Sequence, residues 1–272
     1  MEGICIKKEK HDFLTDDKRD LYLLFEQNGM EIMFQTVYKD SLMWLAPSDK
    51  KNTVEFFFII KGNVTLEDRN GTVKLRENDC FYTKNLKSKI LLKSNTDLKI
   101  LYISTCPVFK HLDSFYDELN YLLDKITEKD EYTKNHCKRV ADYCLFLSRK
   151  LKCTNEVFDN LVVASLFHDV GKCLIPDEIL QKKIKLTEDE FEEIKRHPTY
   201  SRKLLSDKFS EDILKITSEH HERLDGSGYP YGLSGSQLSL EVRIIAVADC
   251  FDAMTTVRPY NRLKSFQEAA DE

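Results

Sequence analysis

The spacing of apolar residues changes period once along the chain. Over residues 30–105 it alternates, as in strands with one buried face. Residues 54–60 read as a buried run, 63–67 alternate, and Arg69-Asn70-Gly71-Thr72 reads as a hairpin turn centred on Asn-Gly. Residues 72–75 return, Glu77-Asn78-Asp79 turns again, and 80–83, 89–93 and 98–104 complete a series of short strands. Strands this short and evenly spaced predict a sandwich or barrel. From Pro107 the period becomes helical. Residues 111–126 place Leu112, Phe115, Tyr116, Leu119, Leu122, Leu123 and Ile126 on one stripe, predicting a helix that links two halves and offers a dimer seam. Further helices are expected over 133–151, 155–168, 210–221 and 239–256. Thr187 with Glu190 opens another through a capping box. Between Gly226 and Gly235 lie 4 of the 9 glycines, in one long loop. The expected class is α+β and multidomain: a β domain over 1–106, a linker helix over 107–130 and an all-helical domain over 131–272.

Composition narrows the function classes. The chain has 272 residues, 42% hydrophobic and 32% charged, enough for two domains with cores of their own. From residue 107 onward 24 basic residues face 30 acidic ones, which argues against a broad DNA-binding surface. The 8 cysteines are scattered without a CxxC pair, as in reduced cytoplasmic proteins. No apolar stretch follows the basic residues at 7–10, and the longest apolar run, 56–60, is far below the ~20 residues of a membrane span. A cytoplasmic protein without membrane contact is expected.

The chemistry concentrates in seven residues: His136, His168, Asp169, His197, His220, His221 and Asp249. They include 5 of the 7 histidines. Imidazole and carboxylate ligate Zn, Fe, Mn, Co or Ni, and this set exceeds what one ion takes. Two adjacent ions suit phosphoester hydrolysis, because they generate a hydroxide and clamp phosphoryl oxygens. Asp169, beside His168 at a helix end, has two oxygens with which to bridge two ions. Gly171 gives a sharp exit, and Lys172 supplies a cation for a phosphate oxygen. His197 is read inside a helix that Pro198 disrupts. Adjacent His220 and His221 would point about 100° apart on a helix, so they are expected to serve two ions, or one ion and the substrate. Asp249 in an apolar helix needs a partner or a metal. Singly, each histidine also fits a hydrogen-bonded core or surface role; together they favour a metal centre.

The segments "NHCKRVADYC", "FHDVGK", "IKRHPTYSRKLL", "SEHHERLDGSGYP" and "RIIAVADCFDAMTTVRPYNR" closely resemble the HD-GYP branch of the HD phosphohydrolase superfamily, over residues 112–272. The resemblance implies a helical domain that hydrolyses the bacterial second messenger cyclic di-GMP to pGpG and GMP, with the seven residues as ligands of two divalent ions. Fe or Mn comes before Zn or Ni. It also implies Asp169 as the bridge, Lys172 at the scissile phosphate and Asp252 orienting the ligands. Arg258 would bind phosphate, with a solvated helix-end arginine as the plainer alternative. The Gly228-Tyr229-Pro230 loop would line the site and bring Tyr229 to the substrate, and it could dock a GGDEF-type partner protein; it also reads as a simple structural turn. Four departures stand out. Tyr132 occupies the position of a Glu that holds a third metal, so two metals are expected. Asn261 removes a positive charge, Ser201 stands where the family pattern has Gly, and Glu272 falls early in a helix after Ser265, so closing helices of the family are expected to be missing. More weakly, "KGNVTLEDRNGTVKLRENDCFYT" resembles the double-stranded β-helix of cupins. Its strands carry no histidine. A regulatory or dimerising module, or a sensor pocket for a small molecule, is expected, with Trp44 as core or interface. Two alternatives to a phosphodiesterase remain: a non-catalytic cyclic di-GMP sensor, and a hydrolase of another cyclic dinucleotide or nucleotide.

Overall fold

The structure, a computed structural model, describes residues 12–15, 19–48, 50–109, 131–182, 184–256 and 263–272, without the side chains of 131–134. The chain divides into two compact units, Met1–Asn120 and Tyr121–Glu272. Most of the linker helix read over 107–130, the Tyr132 side chain, and Arg258 with Asn261 lie outside the described residues.

The described residues of the first unit form ten antiparallel strands: β1 (Asp12–Thr15), β2 (Arg19–Gln27), β3 (Met30–Val37), β4 (Leu42–Leu45), β5 (Val54–Lys61), β6 (Val64–Asp68), β7 (Gly71–Leu75), β8 (Cys80–Lys84), β9 (Ile90–Ser94) and β10 (Leu98–Ser104). They form a six-stranded sheet in the order β1-β2-β3-β10-β5-β8 and a four-stranded sheet in the order β4-β9-β6-β7. Strands β3 to β10 thus alternate between two sheets, apart from the β6–β7 hairpin within one of them, as in a jelly roll, the arrangement cupins use. Strands β1 and β2 extend the larger sheet and were not legible in the sequence. In β2, Leu21 and Leu23 point inward while Tyr22 and Phe25 point outward, so apolar residues on both faces hide the alternation. The β6–β7 hairpin also sits one residue earlier than its Asn-Gly signal. Asp68 pairs with Gly71 across it, and the Asp68 Oδ1 accepts the amides of Asn70 and Gly71 at 2.8 and 3.0 Å.

The interior is built in rows across β3, β10, β5 and β8. One row is Met33, Tyr102, Phe57 and Phe81, with Phe57 stacked between Phe81 and Tyr102 at 4.6 and 4.5 Å. The next is polar: Glu31, Ser104, Glu55 and Thr83. Glu55 accepts from the Tyr102 hydroxyl and from Thr83 at 3.2 Å. Glu31 accepts the amides of Val108 and Phe109, fastening the segment after β10. Leu21, Ile59, Val64, Leu92, Leu98 and Ile100 fill the remaining space between the sheets. Trp44 is half-buried in β4 and pairs with Leu91 across the sheet.

The second unit is helical: α1 (Glu131–Lys150), α2 (Asn155–Phe167), a 3-10 turn (Val170–Leu174), α3 (Asp177–Leu180), α4 (Glu188–Ile194), α5 (His197–Leu205), α6 (Glu211–Glu219), α7 (Leu240–Thr255) and α8 (Phe266–Ala270). Helix α2 is buried from Leu161 to Phe167 without a break, so it is the central helix, packed against α1, α6 and α7. Thr154 caps it by accepting the Val157 amide, and the capping box of Thr187 and Glu190 opens α4 as its sequence predicts. Pro198 does not disrupt a helix. It stands in the first turn of α5, which begins at His197, where the missing N–H costs nothing. No disulfide joins the described cysteines, and no helix among the described residues is long and apolar enough to cross a membrane.

Candidate metal centre

Five places in the helical unit bring the seven residues together. His136 comes from α1, His168 and Asp169 from the end of α2, and His197 from the start of α5. His220 and His221 come from the end of α6, and Asp249 from α7. All are buried except His221, which is half-buried. Their ligand atoms fall into two groups, each within 4.8 Å: His136, His168 and Asp169, and His197, His220 and His221. His220 and His221 thus share a group, contrary to the helical-wheel expectation. Helix α6 ends at Glu219, and the two rings lie 4.1 Å apart. Two carboxylates span the groups. Asp169 Oδ1 lies 3.2 Å from His197 Nε2, while its Oδ2 lies 3.5 Å from His168 and 3.7 Å from His136. Asp249 Oδ1 lies 3.2 Å from His136 Nε2, and its Oδ2 lies 3.7 Å from His221 Nδ1.

One local device aims three of the imidazoles. The Nδ1–H groups of His168, His197 and His220 donate to the carbonyls of Ser165, Ile194 and Thr217, each three residues back, at 2.9, 2.8 and 2.8 Å. A carbonyl only accepts, so each ring is the Nδ1–H tautomer when neutral, with the Nε2 lone pair turned to the centre. Burial lowers the pKa of His168 and holds that of His220 far below the usual range. His221 is lowered to about 3, by burial and then by the neighbouring His197. His136 is the exception: burial lowers it, but hydrogen bonds to Asp249 and Asp252 and the charge of Asp169 outweigh that and raise it to about 9. Asp169 and Asp249 stay ionised despite burial. Lys172, His168 and His197 hold Asp169 well below the usual carboxylate range, and a hydrogen bond from His136 does most for Asp249.

A cation fits this donor set. His168 Nε2 is buried with no hydrogen-bond partner among the described residues. In their neutral forms the Nε2 atoms of His197 and His220 turn lone pairs toward one another across 3.3 Å, an arrangement that a shared cation satisfies. Nitrogen and carboxylate oxygen donors with no cysteine sulfur in either group match Fe, Mn or Zn.

Further residues hold these groups in place. Asp252, fully buried, accepts from His136 Nδ1 at 2.6 Å and from Arg139 at 2.5 and 3.0 Å, a carboxylate–histidine pair of the kind that orients metal ligands. Burial would raise Asp252; His136 and Arg139 lower it instead. Lys172 lies 2.6 Å from Asp169 Oδ2 with its side chain 24% exposed, so a substrate can reach it. Gly171 has an ordinary φ, and what it provides is room rather than a sharp exit: a Cβ there would lie 2.0 Å from the His197 carbonyl oxygen.

The 226–235 loop is fastened to the residues following His220. Glu222, almost wholly buried, accepts the amides of Tyr231 and Leu233 at 2.7 and 2.9 Å, and the Tyr229 amide donates to the His221 carbonyl. This sets the Tyr229 ring 4.7 Å from the His221 ring, with the Lys195 ammonium 6.0 Å from the Tyr229 ring centroid. Gly228 lies so close beneath that a Cβ would fall 2.4 Å from Glu222 Cα. Gly228→Ala is therefore expected to cost about 1–3 kcal/mol of stability and to displace Tyr229, leaving metal content intact. Thermal melts and metal analysis of the same sample check both.

Sequence reasoning missed Arg139, Glu222 and the hydroxyl of Ser201. Arg139 falls three residues after His136, on the same side of α1, and that spacing was the available signal. Glu222 gave none, because its partners are backbone amides nine and eleven residues away.

Comparisons with known proteins bear on the same region. A family model described as an HD domain matches residues 120–272. A 3'3'-cGAMP-specific phosphodiesterase 1 of Vibrio cholerae is 42% identical over 144 residues, which is 53% of this chain and 33% of that one. A cyclic di-GMP phosphodiesterase of Thermotoga maritima is 33% identical over 216 residues, 78% of this chain and 56% of that one. The chain spans between about a third and somewhat over half of these relatives. In the β unit, a cupin superfamily protein of Desulfitobacterium hafniense aligns with 35% of this chain and 83% of its own, at 11% identity and a TM-score of 0.29, too slight a likeness to carry an inference.

Proposed function

The chain belongs to the HD domain family, and from that premise we propose that it is a metal-dependent phosphodiesterase that opens a cyclic dinucleotide, cyclic di-GMP first, to pGpG and GMP. One observation carries the reading: two groups of donors, all buried but His221, spanned by Asp169 and Asp249, with the His168 Nε2 left without a hydrogen-bond partner among the described residues. His136, His168, Asp169, His197, His220, His221 and Asp249 would hold two divalent ions, Fe or Mn before Zn or Ni. Such ions activate water at neutral pH and polarise phosphoryl oxygens.

The chain's own groups supply the rest. Burial lowers the Lys172 pKa, but the charge of Asp169 outweighs it and keeps the ammonium protonated. Partly exposed, Lys172 offers N–H donors to a non-bridging phosphoryl oxygen and offsets its charge. Asp252, backed by Arg139, fixes the His136 ring. Tyr229 presents its ring beside His221, where it can lie against the substrate, and Arg258 is assigned to the second phosphate. The loop around Tyr229 is also where a GGDEF-type protein would dock.

The β unit is assigned a regulatory and dimerising role. The outer face of the larger sheet carries the cross-strand row Phe13, Tyr22, Phe34, Leu101 and Phe58, beside Phe25, Ile32, Ile103, Phe56 and Tyr82. Tyr82 and Phe13 there are 68% and 60% exposed. A homodimer through this face predicts a dimeric sedimentation coefficient that Tyr82→Lys reduces; a monomeric parent protein contradicts it.

The likeness to a 3'3'-cGAMP-specific enzyme keeps that dinucleotide as the second substrate reading. Incubation with cyclic di-GMP, 3'3'-cGAMP and linear pGpG, followed by chromatography, separates the readings. Release of pGpG or GMP from cyclic di-GMP is expected. Faster cleavage of 3'3'-cGAMP shifts the substrate. Tight binding with every dinucleotide left intact makes the domain a sensor and overturns the enzymatic reading.

A further inference from the structure

Ser201 stands one helical turn after His197 on α5, so both face the same neighbour. It is fully buried, and its hydroxyl does two things at once. It accepts the Gly171 amide at 2.8 Å and donates to the His168 carbonyl at 2.7 Å. Those two backbone groups bracket the turn that carries His168 and Asp169 and leads into Lys172. The bracket is tight, because a Cβ on Gly171 would lie 2.0 Å from the His197 carbonyl oxygen and 2.5 Å from the Ser201 amide nitrogen. His197 belongs to one donor group, while His168 and Asp169 belong to the other. We propose that Ser201 is a positioning residue that joins the two halves of the metal centre, fixing the turn that bears Asp169 against the helix that bears His197. It sets the 3.2 Å separation of Asp169 Oδ1 from His197 Nε2 without touching an ion. The inference rests on the reading of these residues as metal ligands, and not on the identity of the substrate.

Removing the hydroxyl withdraws a partner from a buried amide and from a buried carbonyl, and the turn is then free to shift. The test uses the full chain as Ser201→Ala. The control is Ser148→Ala, because Ser148 is buried to the same degree and its hydroxyl bonds the Leu145 carbonyl of its own helix. Mn2+ affinity is measured by competition with a chromophoric chelator, melting temperature on the metal-free protein, and kcat and KM on cyclic di-GMP. Ser201→Ala is expected to bind Mn2+ about 10- to 100-fold more weakly and to lose kcat, with KM within about twofold of the parent. Ser148→Ala is expected to lower the melting temperature but leave Mn2+ affinity unchanged. If Ser201→Ala does not fold, Ser201→Gly removes the same hydroxyl at smaller volume and is expected to show the same loss. Unchanged Mn2+ affinity in the folded Ser201 variant overturns the proposal, as does an equal loss in Ser148→Ala. A parent protein that binds Mn2+ but leaves every dinucleotide intact defeats the enzymatic reading alone, since the affinity comparison needs no turnover.

Discussion

Asp169→Asn is expected to lower turnover by at least on the order of 10^3-fold and to remove metal from both donor groups at once. Asp169 is the one side chain whose two oxygens face His197 on one side and His136 and His168 on the other. An amide keeps the shape and loses the charge, and it presents an N–H where a second cation needs a lone pair. The same change removes the carboxylate 2.6 Å from Lys172 and leaves Asp249 to oppose its positive charge beside the metal site. Metal analysis with single-turnover kinetics checks this. Full metal content, or turnover within tenfold of the parent, would refute the bridging role.

Asp252→Asn carries the second large effect, through orientation. The parent carboxylate serves His136 and Arg139 together, and an amide oxygen cannot satisfy both. Breaking a buried pair costs several kcal/mol. Arg139 is 34% exposed, so solvent screening reduces this to about 2–4 kcal/mol. Metal affinity is expected to fall about 10- to 100-fold. The pH dependence gives a second signature in metal-free protein. Asp252 is depressed in the folded state, so its contribution is present above the ordinary carboxylate pKa and is lost as pH falls through the folded value. His136 is raised to about 9, so its contribution is complete below about 6.5 and is lost as pH rises through 9. The pair therefore stabilises most between roughly pH 4 and 6.5. Denaturant titrations across pH should show the difference between parent and variant largest there and shrinking toward pH 9. A difference that grows with pH would contradict the assignment.

The candidate site was legible because histidine is rare in this chain and 5 of its 7 histidines fall in the set. Every one of the seven predicted residues reaches the centre. What the sequence hid was geometry beyond a helix end. A helical rotation set His220 and His221 apart, whereas their rings lie 4.1 Å from one another, and Pro198 was read as disrupting a helix that begins one residue before it. Residues that act on backbone atoms were hidden for a different reason. Glu222 and Ser201 bind amides and a carbonyl set by the fold, and no residue type at a fixed spacing announces such a partner. In the β unit, short apolar runs bounded by turn signals made the strands after residue 30 legible, while β1 and β2 before it were missed.

The most direct test of the central claim is to purify the full chain without oxygen and to measure metal content and cyclic di-GMP turnover on the same sample. The account predicts about two Fe or Mn per chain and the appearance of pGpG or GMP. Protein that takes up no divalent ion, or that holds two and leaves the cyclic dinucleotides intact, would contradict it.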